Sequence, residues 1–271
     1  MSPHPDQGRP LVTLTTDFGT ADGYVGAIKG RLLSLAPPVR ICDISHQVAP
    51  RDVVQGAWCL KRAAPRFPDG AIHLAVIDPG VGSARAGLVV VTERFLLVGP
   101  DNGVLSLAAR EGGLRQIVTI GENPPHWQKS ASFDGLTLFA PVAARLAMGD
   151  APEMLGQPAE AMEQLPQKNP RHAGDEILGE VLFFDRFGNA VTNITVEDLA
   201  GKSAGRVMLG AGEEAQWATH YAAMAKNPGC PAAIWNSDGH LELALFGGSL
   251  KNDRRIRAGE RVAVSLRPAA G

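Results

Sequence analysis

A carboxylate that closes an apolar run and is followed by a glycine turn can hold a small polar ligand, and this chain contains several. Asp78-Pro79-Gly80-Val81-Gly82-Ser83-Ala84-Arg85 sets a guanidinium seven positions beyond such a carboxylate. That pairing can orient a water molecule and help remove its proton. The same spacing also suits a structural Asp–Arg pair. Thr15-Thr16-Asp17-Phe18-Gly19 leads into a helical pattern, where an aspartate can accept two hydrogen bonds from a ribose diol or cap the helix. Asp185-Arg186-Phe187-Gly188-Asn189 puts a carboxylate, a ring and an amide within five residues. The set fits an ammonium group with a planar base, or a plain β-turn.

Three other strings are less specific. Asp101-Asn102-Gly103 reads as a turn with a helix cap. Ser132-Phe133-Asp134-Gly135 precedes a helical pattern starting near Thr137, so its aspartate either caps that helix or faces a site. Asn236-Ser237-Asp238-Gly239 fits a hairpin turn, or a carboxylate site built from a hydroxyl and backbone donors. The seven histidines show neither HxH nor HExxH spacing, so no metal site is expected.

These strings need elements to hold them. From residue 11 to 120 strand-like and helix-like segments alternate: strands over 11–16, 39–44, 71–77, 87–92, 95–98 and 114–120, and helices over 24–35, 52–62 and 102–110. In the helix from Tyr24 the apolar positions are Tyr24, Ile28, Leu32 and Leu35, and Pro37-Pro38 stops it. A further helix spans 137–148, with Pro141 in its first turn. Alternation of this kind predicts an α/β fold, a three-layer α/β/α domain around a largely parallel sheet. Ligands bind beyond the carboxyl ends of such strands, where Asp17, Asp78 and Asp101 fall. After the domain at 1–150, a proline-punctuated stretch at 151–176 reads as a linker. From 177 to 271 short strands at 178–184, 190–195, 206–209, 232–236, 241–246 and 261–266 predict a smaller β-barrel-like domain.

The whole chain sets wider bounds. Its 271 residues are 45% hydrophobic and 20% charged with net charge −2, an ordinary globular balance without the basic footprint of a nucleic-acid binder. No apolar run is long enough for a membrane span, and the polar start lacks the apolar core of a signal peptide. Cys42, Cys59 and Cys230 show no metal or redox spacing and suit a reducing, cytoplasmic compartment.

Taken together, the strings resemble a family. Thr16-Asp17-Phe18-Gly19 with Tyr24-Val25-Gly26 and Lys29-Gly30, the 78–85 string, Gly99-Pro100-Asp101-Asn102-Gly103, Phe139-Ala140-Pro141, and the 185–189 string with Thr192-Asn193-Ile194 look like the S-adenosylmethionine hydroxide adenosyltransferases. Those enzymes share a fold with the 5′-fluorinase and 5′-chlorinase. The resemblance implies a homotrimer that binds a small-molecule substrate, S-adenosylmethionine, between domains of neighbouring subunits. It implies that Asp17 holds the ribose hydroxyls, Asp185 pairs with the methionine ammonium, Phe187 lines the adenine site and Asn189 bonds the base edge. Phe133 would join the substrate contacts. Ser237 falls where the family grips the methionine carboxylate, although Asp238 replaces the arginine of the halogenases.

Position 78 separates the chemistries within that resemblance. Halogenating members carry a tyrosine there and a threonine three positions on, whereas hydrolytic members carry Asp and an Arg seven positions on. This chain has Asp78, Val81 and Arg85. A carboxylate repels a halide and holds a water. The family's third catalytic residue is a histidine, replaced here by Asp134, so Asp78, Arg85 and Asp134 are expected around the water. The implied reaction is attack of water on ribose C5′ of S-adenosyl-L-methionine, giving adenosine and L-methionine with no metal and no further cofactor. The missing histidine motivates a second reading, a binder of adenosine or S-adenosylmethionine with little or no turnover.

Overall fold

The computed structural model describes residues 8–121, 132–166, 169–210 and 212–268. The chain divides into two compact units at Leu165 and Pro166. In the first, β1 (Leu11–Thr16), α1 (Tyr24–Leu35), β2 (Arg40–Ser45), α2 (Val53–Ala63), β3 (Ile72–Val76), β4 (Gly87–Thr92), β5 (Leu96–Pro100), α3 (Ser106–Glu111), β6 (Leu114–Ile120), α4 (Ala140–Ala147) and β7 (Gly156–Ala159) follow one another. They build one seven-stranded sheet in the order β2-β1-β3-β5-β4-β6-β7. The β2, β1, β3 and β5 strands are mutually parallel, and β4, β6 and β7 extend the sheet by antiparallel pairing. Strands β1, β3 and β5 are neighbours, so Asp17, Asp78 and Asp101 follow the carboxyl ends of three adjacent strands.

Helices cover both faces. On one, Ile28 and Leu32 of α1 and Val142 and Leu146 of α4 pack with Val12, Leu14 and Leu74. On the other, Leu60 of α2 and Ala108 of α3 pack with Ala75, Ile77 and Leu97. Each large side chain buried this way contributes roughly 1.5–3 kcal/mol. The apolar face of α1 is narrower than its spacing suggests: Val25, Ile28 and Leu32 are buried, while Tyr24 and Leu35 at the ends are exposed. The helix after Asp134 starts earlier than expected, with a widened π turn over Gly135–Phe139 leading into α4. Pro141 sits in the first turn of α4, directly behind that π turn.

Residues 151–165 read in sequence as part of a linker, but β7 pairs antiparallel with β6 and the stretch lies within the first unit. Four residues containing a proline leave no periodicity to detect, and an edge strand tolerates that proline.

The second unit contains β8 (Arg171–Ala173), β9 (Glu176–Phe184), β10 (Ala190–Thr195), β11 (Ser203–Leu209), β12 (Glu213–Trp217), β13 (Pro231–Trp235), β14 (His240–Leu245), α5 (Leu250–Asp253) and β15 (Arg261–Arg267). The order β9-β10-β14-β13-β12-β11-β15 returns to β9 and closes a seven-stranded barrel, with β8 alongside β9. Ile177, Val181, Ile194, Val207, Leu241, Leu243 and Val264 fill it. Among the described residues no helix is long and apolar enough to cross a membrane.

Candidate active site

The loop from β3 to β4 brings its own ends together. Gly82 takes φ +80°, a left-handed conformation that glycine adopts freely, and Ser83 Oγ donates to the Gly80 carbonyl at 2.6 Å. The chain therefore doubles back and Arg85 meets Asp78. Arg85 Nε donates to Asp78 Oδ1 at 2.7 Å while Nη2 donates to Asp78 Oδ2, a two-pronged carboxylate–guanidinium pair. The same Nη2 donates to Asp134 Oδ2 at 2.6 Å. Arg85 thus bridges two carboxylates, Asp78 and Asp134, that lie far apart in sequence. The side chains of Asp78, Arg85 and Asp134 are only 5%, 11% and 15% exposed, so the interaction is not screened as a surface pair would be. The guanidinium also lies 5.3 Å from the centroid of the fully buried Phe139 ring. Two carboxylates and one guanidinium sum to a formal charge of −1. Asp134 makes no side-chain cap to the helix it precedes, which leaves its carboxylate for Arg85.

Asp17 stands at the neighbouring strand end. Its Oδ2 accepts from the Arg51 backbone N–H at 2.7 Å, and Arg51 holds φ +66°, uncommon for a residue with a Cβ. Beneath it, Thr16 Oγ1 pairs with His46 Nδ1 at 2.8 Å, and His46 Nε2 lies 3.1 Å from Asp43 Oδ1. Lys29 Nζ donates to Asp43 Oδ2 at 2.6 Å. Burial pushes the Asp43 carboxyl up, but the hydrogen bonds from Lys29 and His46 outweigh it and hold the group below its ordinary value. The backbone N–H of Gly19 donates to the His46 carbonyl at 2.8 Å, which ties the Asp17-Phe18-Gly19 turn to this network.

Phe18, Tyr24 and Phe133 pack edge-on or tilted, with centroids 6.0, 5.5 and 5.1 Å apart. Phe18 follows Asp17 and Phe133 precedes Asp134, so this trio joins the two acidic positions. Sequence reasoning gave Phe18, Tyr24, His46 and Phe139 no role in the site. Aromatic or histidine side chains at such positions read as ordinary core until the contacts are seen.

In the second unit, the 185–189 string folds on itself. Asp185 Oδ1 accepts from the backbone N–H groups of Phe187 and Asn189 at 2.9 and 2.8 Å, and Oδ2 accepts from the Asn189 side-chain amide at 3.0 Å. Asp185 and Asn189 are therefore partners within the turn. Phe187 is 75% exposed, its ring presented outward. Gly188 has φ +82° and lies against Ser249, where a Cβ would come within 2.0 Å of the hydroxyl. The 236–239 string forms a hairpin turn between β13 and β14: Asn236 Oδ1 accepts from the backbone N–H groups of Asp238 and His240, and the Asn236 carbonyl accepts from Gly239. Ser237 sits at the tip. Among the described residues no group of three or more His, Cys, Asp and Glu side chains could hold a metal.

Both the sequence and the fold match known proteins. Models of the SAM hydroxide adenosyltransferase N-terminal and C-terminal domains match residues 12–156 and 179–263. An (R)-S-adenosyl-L-methionine hydrolase of Salinispora tropica is 45% identical over 187 residues, covering 66% of this chain and 70% of the relative. Another, of Thermus thermophilus, is 37% identical over 262 residues and covers 93% of this chain and 97% of its own. The crystal structure of an uncharacterized conserved protein from Thermotoga maritima superposes with a TM-score of 0.83 at 32% identity, covering 94% of this chain and 99% of that one.

Proposed function

The chain belongs to the SAM hydroxide adenosyltransferase family, and from that premise we propose that it hydrolyses S-adenosyl-L-methionine to adenosine and L-methionine. The observation that carries the reading is the cluster in which Arg85 bridges Asp78 and Asp134. A water held there donates hydrogen bonds to the carboxylates, with an oxygen lone pair aimed at ribose C5′. Attack forms the O–C5′ bond and breaks the C5′–S bond, whose electron pair returns to sulfur. Methionine leaves as a neutral thioether, C5′ inverts, and the water's spare proton passes through a carboxylate to solvent.

Charge movement explains why an acidic site suits this reaction. The sulfonium carries the positive charge at the start, and attack shifts it onto the incoming oxygen. A cluster of formal charge −1 beside that oxygen favours the transition state over the ground state. A halide nucleophile gains nothing there and is repelled. Methionine leaves readily, so the protein's main task is aim, and a rigid, nearly buried cluster supplies it.

Asp17 would take the ribose hydroxyls, with Phe133 and its two aromatic neighbours forming an apolar wall. Asp185, Phe187, Asn189 and Ser237 would serve the methionine and adenine ends. The exposed Phe187 ring supports a contact made with something beyond its own turn. The reading includes a homotrimer whose neighbouring copies complete each site, which light scattering of the purified chain checks. It also includes a reducing cytoplasm, which suits free Cys42, Cys59 and Cys230 and is checked by cell fractionation. The relatives are named for the (R) sulfonium, and the same preference is proposed here. Chromatography after incubation with each sulfonium epimer tests the function: equimolar adenosine and methionine are expected from the (R) form, and their absence would refute the reading.

A further inference from the structure

The Asp101-Asn102-Gly103 string after β5 reads in sequence as a turn with a helix cap. In the fold it grips both ends of the loop that carries Asp78 and Arg85. The Asn102 side-chain amide Nδ2 donates to the Ile77 carbonyl at 2.9 Å, on the residue just before Asp78. The Asp101 backbone N–H donates to the Ala86 carbonyl at 2.9 Å, on the residue just after Arg85. That carbonyl also accepts from Arg85 Nη1 at 3.2 Å, so the turn and the guanidinium meet on one oxygen. Asn102 Oδ1 meanwhile accepts from the Val104 N–H at 3.2 Å, which fixes the amide's orientation. The Asp101 carboxylate accepts from the Glu163 backbone N–H at 2.7 Å and pins the turn from its far side.

We infer that Asn102 is a positioning residue for hydrolysis, holding the Asp78–Arg85 loop closed so that the cluster keeps its geometry. It acts through the loop and touches no reacting atom. The inference rests on the water-activating role proposed for Asp78 and Arg85. A misplacement of about 1 Å in such a pair can cost on the order of 100-fold in rate, while ground-state binding elsewhere is unaffected.

Two variants separate the parts. Asn102→Ala removes both bonds of the side chain. Asn102→Asp keeps the acceptor for Val104 and loses the donor to Ile77, so it tests the grip if the alanine variant fails to fold. Both are expected to lower kcat by roughly 10- to 100-fold with KM within about twofold of the parent. In an Arg85→Lys background, where the two-pronged pair is already lost, the further loss from Asn102→Ala should be under about threefold. Unchanged kcat, a rise confined to KM, or equal fold losses in both backgrounds would overturn the inference. Hydrogen exchange of the full-length variants reads the same claim without turnover. Faster exchange at the Gly80 and Arg85 amides, with the β1 and β3 amides unchanged, is expected. Exchange at those loop amides identical to the parent would overturn the inference even if the parent proved inactive, an outcome that would separately refute hydrolysis.

Discussion

Arg85 is where the buried cluster converges, because one guanidinium is shared by two carboxylates of different origin. Asp78 reaches it through a loop that doubles back, and that contact was legible from an aspartate and an arginine seven positions apart around a glycine turn. Asp134 was harder: nothing in local spacing shows whether an aspartate before a helix caps it or faces elsewhere, and the family histidine at that position gave the only hint. The geometry assigns its carboxylate to Arg85. Asp78→Asn is expected to lower kcat by about 100-fold or more, and Asp134→Asn by about 10-fold, in steady-state assays. Full turnover in Asp134→Asn would remove that residue from the catalytic set. The 185–189 string shows the opposite limit of spacing. A carboxylate and an amide four apart suited a ligand, yet they also satisfy each other within a turn, and residue types alone do not separate the two.

Elements with strong periodicity or an apolar run were readable, and β1 and α1 have the bounds their patterns predict. β12 was not read as a strand because Glu213, Glu214 and Gln216 make it mostly polar and Ala215 is its one buried residue. β8 is three residues long. The π turn at Gly135–Phe139 has no sequence marker, since a widened turn depends on what packs against it. The β3–β5 pairing supports the site directly, because a Cβ on Gly99 would stand 2.3 Å from the Ala75 backbone carbonyl. Gly99→Ala should force these strands apart, lowering stability by about 1–3 kcal/mol in urea denaturation and reducing kcat as the following turn shifts. Unaltered stability and turnover would show that the two strands can separate without cost.

For the whole molecule, the pH range of stability follows from a buried histidine in the first sheet. His73 pairs through Nδ1 with Thr13 Oγ1 at 2.7 Å and lies between the Phe67 and Phe95 rings. Burial pushes its pKa from 6.5 down to about 4. The unfolded chain therefore binds this proton as pH falls through 6.5, whereas the folded chain binds it only near 4. Its contribution is complete above pH 6.5 and drains away between 6.5 and 4, amounting to about 3 kcal/mol. Denaturation at pH 7.5 and 4.5 should show a larger acid loss in the parent than in His73→Gln. Equal losses would contradict the burial account. The two units were readable as an α/β/α domain and a smaller β-barrel-like domain, but the first extends further along the chain than its periodic segments do.

In the proposed reaction, water aimed by Asp78, Arg85 and Asp134 attacks ribose C5′. Turnover of the (R) sulfonium form of S-adenosyl-L-methionine in ¹⁸O-labelled water, with mass spectrometry of both products, shows which bond forms. One ¹⁸O atom is expected in the 5′-hydroxyl of adenosine and none in methionine. Label in methionine, unlabelled adenosine, or ligand that stays bound and intact would overturn that reaction.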